Sequence, residues 1–392
     1  MLESNENYTN LAIYNLLVEK TKYNWTDCSS LPEYLKNSFA NYNKHITSLQ
    51  GDVKYKVLAN HEISVGLHHK INEVVFYYLR GKIPAAFDTM QEAFVLVNDL
   101  LIKKSTRSIT KRGKFVFKAR VHKDGKEPPN SREDMFHIPF ENRELVQGQR
   151  FSAHGIPSVY LGESIYDCYL ELGKPDMDKF WVSLFYFPQE TRLVDLTFAN
   201  QQHDPWLILH QVNKDDEKYA ETLNKLADDI LLWPLIMACS IVCKYPDAPF
   251  KQEYIIPQML YQLCNADNKF DGVKYYSTKL DGRDRNIIKS AMINYAMPAQ
   301  DIRASGYCPA LRSKLCLTEP ITTEVCQNTP IVPIKLGYFT QKLGFPLLSV
   351  RNDELKKDET ILALDKMTIY FEQLLMKDCS NCLSPLDGFR EG

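Results

Sequence analysis

The chain has 392 residues, 44% hydrophobic and 24% charged, with a formal net charge of −2. That length suits one large domain or two modest ones with real cores. The near-neutral balance excludes a general electrostatic attraction to nucleic acid or an anionic membrane, so any anion site must be local.

The first twenty residues lack the apolar run of a secretory signal, and the ten cysteines are scattered. A cytoplasmic location with free thiols is therefore expected. Cys379 and Cys382 form the one CxxC pair, which lacks the second half of a zinc site, and no metal is expected. The longest charge-free run, Ile230–Cys243, has 14 residues and contains Pro234. It is too short to span a bilayer and reads as a buried core segment.

In chain order, the first hundred residues read as helical. Ile63, Leu67, Ile71, Val74, Val75 and Tyr78 fall on one helix face, and Phe87, Met90, Phe94, Val97 and Leu101 on a second. The short Gly81–Pro84 link between them predicts an antiparallel helical hairpin. After residue 113 the period changes. Phe115, Phe117 and Ala119 alternate as a strand, and further strands are predicted at Ser158–Gly162, Phe180–Phe187 and Arg192–Thr197. Between these, "SIYDCYLEL" reads as a short helix capped by Ser164, with Asp167 at the capping-box position and Gly173 as its stop. Pro257 is expected to open another helix. "FDG" turns into the strand "VKYYST", and a final helix is expected near Ile361–Met376. The expected division is a helical region over 1–110, a mixed α+β domain over 113–320 and a partly helical extension over 321–392.

Several chemical motifs fail on spacing. His61-Glu62 begins like a zincin, but the next histidine, His68, lies about 10 Å along a helix, too far to share one zinc. Gly162-Glu163-Ser164 lacks the second glycine of a nucleophile elbow. There is no Walker loop and no dinucleotide-binding glycine fingerprint.

The stretch "QRFSAHGIPSVYLGESIYDCYLELG", residues 149–173, places an arginine, a tyrosine and a glutamate at Arg150, Tyr160 and Glu171. On the predicted helix, Ile165, Cys168, Tyr169 and Leu172 form the apolar stripe, and Glu171 borders it. Taken singly, each residue is ordinary: a loop arginine, a core tyrosine, a surface glutamate. In combination the pattern resembles the RES domain family. The resemblance rests on Arg150-Phe151-Ser152, Gly155-Ile156-Pro157, Tyr160 and Glu171, followed by Ser277 in "FDGVKYYST". The flanks "MFHIPF" (Met135–Phe140), "EYIIPQ" (Glu253–Gln258) and "GYCP" (Gly306–Pro309) resemble a longer branch of that family. One departure stands out. Where members often carry an aromatic–arginine pair on the first strand, this chain has "FKAR". Either Lys118 or Arg120, which share a strand face, is left to supply the second cation.

The resemblance implies a split mixed sheet related to ADP-ribosyltransferases, within an α+β fold, and an activity that degrades NAD. It implies no cofactor: NAD is the substrate and inorganic phosphate a candidate co-substrate. Glu171 would steady the oxocarbenium-like ribose as nicotinamide leaves. Arg150 would grip pyrophosphate or phosphate, with Lys118 or Arg120 as the second cation. Tyr160 would pack on the nicotinamide, and Ser277 would orient a ribose or phosphate oxygen. The implied enzyme is a metal-independent NAD phosphorylase or glycohydrolase. Its candidate partners are an antitoxin or regulatory protein and a second copy of the chain. The rival readings are a mono-ADP-ribosyltransferase acting on a macromolecule, and a non-catalytic module of the same fold. Residues 1–110 are expected to cap the core or to restrain the active site.

Overall fold

The structure is a computed structural model that describes residues 10–15, 17, 23–108, 114–188, 190–198, 209, 211–266, 269–279, 292–301, 303–328 and 359–377. In chain order the helices described are α1 (Leu31–Ser48), α2 (Gly51–Leu58), α3 (His61–Tyr78), α4 (Ile83–Ser108), α5 (Ile165–Glu171), α6 (Glu217–Leu231), α7 (Trp233–Cys239), α8 (Ile255–Ala266), α9 (Pro309–Lys314), α10 (Thr323–Asn328) and α11 (Glu359–Lys377). The strands are β1 (Lys114–Val121), β2 (Ser158–Gly162), β3 (Phe180–Phe187), β4 (Leu193–Asp195), β5 (Gly272–Tyr276), β6 (Ile293–Pro298) and β7 (Cys316–Leu317). The chain divides into two compact units. One comprises Met1–Ser108, Gln149–Phe151 and Val194–Asp267; the other comprises Ile109–Gly148, Ser152–Leu193 and Asn268–Gly392.

The first unit is helical. Ser30 caps α1 by accepting the Glu33 N–H, Pro32 follows, and Leu31, Leu35, Phe39, Tyr42 and Ile46 are buried along one face. The hairpin read from sequence is present. Leu67, Ile71, Val74 and Val75 of α3 are buried, as are Met90, Phe94, Val97 and Leu101 of α4. Gly81 turns between them at φ 72°, a value that favours glycine. The charge-free run takes in the end of α6 and the whole of α7, every residue of which is buried, and Trp233 stacks on Tyr42 with centroids 4.9 Å apart. Below it, Asp229 of α6 forms a buried ion pair with Lys104 and accepts from Tyr14 at 3.4 Å. Removing one partner would leave an uncompensated interior charge. Helix α8 starts two residues before Pro257, because a short 3-10 turn at Gln252–Tyr254 leads into it and proline is tolerated within the first turn.

The second unit is built on a sheet in which β5, β6, β2, β1, β3 and β7 are neighbours in that order. Its fold is α+β, and the ladders β1–β2, β1–β3, β2–β6, β3–β7 and β5–β6 are antiparallel. The strands form one sheet, not the split one expected, because β6 hydrogen-bonds to β2 on one side and β5 on the other. Gly272 on β5 lies so close to the Ala296 carbonyl that no Cβ would fit. The two faces carry separate cores. Val116, Leu161, Phe185, Tyr295 and Met297 pack with Phe136 and Leu311 on one face. Phe117, Val182 and Leu184 pack with Ile165 and Cys168 of α5 and with Leu364, Met367 and Phe371 of α11 on the other. Truncating Phe117, 1% exposed, to alanine would cost about 3–5 kcal/mol. Among the described residues, no helix is long and apolar enough to cross a membrane. Cys379 and Cys382 lie outside them.

Candidate functional site

Helix α5 holds its seven residues by a full capping box. Ser164 Oγ accepts the Asp167 N–H at 3.1 Å, and Asp167 Oδ2 accepts the Ser164 N–H at 3.0 Å. Gly173, at φ 81°, ends it. Ile165, Tyr166, Cys168 and Leu170 are buried, whereas Leu172 is 40% exposed. The expected stripe therefore stops short of Leu172, because the helix ends at Glu171 and Leu172 is its cap. Both ends of the helix are fixed, and so is the position of Glu171.

The Glu171 carboxylate accepts from two other elements. Its Oε1 receives the Ser277 hydroxyl from the end of β5 and the Asn294 side-chain amide from β6, the latter at 2.6 Å. Ser277 Oγ in turn accepts the Lys279 N–H at 3.2 Å. The hydroxyl thus accepts on one side and donates to the carboxylate on the other. Lys279 Nζ donates to the Glu171 carbonyl at 2.6 Å and stands 3.9 Å from Oε2. Ser277 and Asn294 are buried, at 2% and 4% exposure, while the Glu171 side chain remains 28% exposed. A carboxylate with one oxygen steadied by buried donors and its edge accessible can face a developing positive charge.

One turn back on α5, Asp167 is fully enclosed. Burial pushes its carboxyl up to about 8, and the negative charges of Glu163 and Glu171 add to the shift.

Tyr160 belongs to the same sheet face as Asn294. In β2–β6 it pairs with Ala296 while Gly162 pairs with Asn294, and directly paired residues, like those two apart, share a face. Its hydroxyl donates to Ser152 Oγ at 2.8 Å, and its ring is half-buried. The structure therefore brings Glu171 and Ser277 into contact and sets Tyr160 on the face they occupy.

Lys118 and Arg120 do share a face of β1, and it is the opposite one. Phe117 pairs with Gly162 and so lies on the Tyr160 face, which turns its neighbour Lys118 away. Both cations donate to the Phe136 carbonyl, at 2.8 and 2.9 Å. Burial lowers the Lys118 ammonium well below its usual range, the Arg120 charge lowers it further, and burial lowers Arg120 as well. Beside them His137 is held neutral. Its Nε2 accepts the Cys308 N–H at 2.8 Å, its Nδ1 donates to the Ile138 carbonyl at 2.6 Å, and burial pushes it down to about 4. The "MFHIPF" and "GYCP" flanks thus bind each other, with Phe140 N–H also on the Gly306 carbonyl at 2.9 Å.

Arg150 belongs to the first unit. Its guanidinium donates to the Cys239 carbonyl at 3.2 Å and the Ile241 carbonyl at 2.9 Å, closing the C-terminal end of α7, and lies 4.9 Å from the Tyr254 ring centroid. The "EYIIPQ" flank supports this segment, since Gln258 donates to the Gln149 carbonyl at 2.9 Å. An anion contact from Arg150 would need a donor beyond those the carbonyls occupy.

Sequence reasoning missed Asn294 and Lys279. Asn294 carried a signal, a lone amide inside the apolar run "AMINYAMPA". Lys279, two residues after Ser277, carried none.

These features define an α+β protein whose second unit presents a carboxylate steadied by a buried hydroxyl and a buried amide. No family model and no solved structure matches the chain. Over 224 residues it is 32% identical to a Bacillus subtilis (strain 168) protein named "Putative toxin YopC", covering 55% of this chain and 49% of that protein. The chain thus spans about half the length of that relative.

Proposed function

We propose that this chain is a RES-type enzyme that cleaves the nicotinamide–ribose bond of NAD, with phosphate or water as acceptor, and acts as a toxin-like effector. The observation that carries the reading is the convergence of Ser277 and Asn294 on one oxygen of Glu171. Breaking the bond sends its electron pair to the nicotinamide nitrogen and leaves an oxocarbenium-like ribose. Glu171 faces that charge. Ser277 and Asn294 keep its carboxylate from rotating away, and Tyr160 offers a half-buried ring to the departing base. Loss of NAD fits the toxin naming of the Bacillus subtilis relative, and an antitoxin or regulatory protein is then the partner to seek.

A second reading, a non-catalytic module of the same fold, is favoured by the two backbone carbonyls that take Arg150 N–H donors. Chromatography of NAD incubated with the purified chain, with and without phosphate, separates the two. Free nicotinamide with ADP-ribose 1″-phosphate or ADP-ribose supports the enzyme. Label transferred from NAD to a macromolecule would replace it with a transferase, and intact NAD would leave the module.

A further inference from the structure

Lys279 is tied to the Glu171 cluster at two points, through its backbone N–H to Ser277 Oγ and its ammonium to the Glu171 carbonyl. The cations expected to hold phosphate are placed differently. Lys118 and Arg120 sit on the opposite sheet face against the Phe136 carbonyl, and Arg150 closes α7. We infer that Lys279 receives the phosphate oxygens of the substrate beside Glu171, an assignment that rests on the NAD-cleaving reading above.

A phosphate brought next to the Glu171 carboxylate is repelled, and an ammonium 3.9 Å from Oε2 offsets that repulsion where it is largest. An ammonium has three donors, of which one meets the Glu171 carbonyl. The side chain is 57% exposed, so the others are accessible to an incoming anion. The short Ser277–Lys279 turn anchors the base of this side chain to the hydroxyl that steadies Glu171. Phosphate could come from two sources, the pyrophosphate of the dinucleotide or inorganic phosphate as acceptor. In the second case a phosphate oxygen forms the bond to the anomeric carbon as the carbon–nitrogen bond breaks, and hydrogen phosphate adds without releasing a proton.

Full-length parent, Lys279→Met and Lys279→Arg are compared for NAD binding, for kcat and KM with NAD, and for the phosphate dependence of turnover. Thermal midpoints serve as a check on folding. Lys279→Met is expected to raise KM for one anion roughly tenfold or more, the scale of one charge-assisted hydrogen bond, with Lys279→Arg near the parent. A shift confined to phosphate dependence identifies the acceptor, and a shift in NAD binding identifies the pyrophosphate. A folded Lys279→Met that matches the parent in both overturns the assignment and leaves the NAD reading standing. A parent that neither binds nor consumes NAD overturns both. If Lys279→Met does not fold, Lys279→Arg and Lys279→Gln decide by the same comparison.

Discussion

The Ser277 hydroxyl donates to Glu171 Oε1 across 106 residues of sequence. It joins the end of β5 to the end of α5 and fixes which way the carboxylate points. Replacing Ser277 with alanine removes this donor and the acceptor of the Lys279 N–H together. The Ser277→Ala chain is expected to lose about 1–3 kcal/mol of stability by denaturant unfolding. NAD turnover should fall further than the folded fraction does, whereas equal losses would make Ser277 a structural residue only.

Asp167 gives α5 a pH dependence. Its folded carboxyl titrates near 8 while its ordinary value is 3.8, so between these values the folded chain keeps a proton that the unfolded chain releases. Stability from this group is fullest below the unfolded value and is lost as pH rises through the folded one. Asp167→Asn can still accept the Ser164 N–H and should flatten that decline. Denaturant midpoints of parent and variant from about pH 5 to pH 9 check this, and parallel curves would refute it.

His137 works in the opposite sense. Its folded value is near 4 against an ordinary 6.5, so the unfolded chain binds a proton that the folded one refuses. Its contribution is complete above 6.5 and is lost as pH falls toward 4. The imidazole resonance of His137, assigned by substitution, should not titrate above about pH 5. A midpoint near the ordinary value would show that burial does not hold it neutral.

Much of this fold was legible in local chemistry. β2, β3, α5 with its capping box, and the α3–α4 hairpin all show in hydrophobic period and cap residues. α7 was readable only as apolar, because a helix buried all round has no polar face to set a period. β6 escaped because its pairing with β2, which fixes its place in the sheet, runs across more than a hundred residues of sequence, although its other neighbour β5 is close in the chain. The site was legible in the same uneven way. Glu171, Ser277 and Tyr160 sit in a recognisable pattern. Asn294 arrives only through β6, and Lys118 and Arg120 could be assigned a sheet face only once the register Phe117 to Gly162 was known.

The carboxylate at Glu171 carries the account, and Glu171→Gln tests it while keeping an oxygen to accept from Ser277 and Asn294. The measurement is the rate at which purified parent and variant, both folded, release nicotinamide from NAD. The parent is expected to turn over and the variant to be slower by about a hundredfold or more. Equal rates in the two proteins, or no release by the parent, would contradict it.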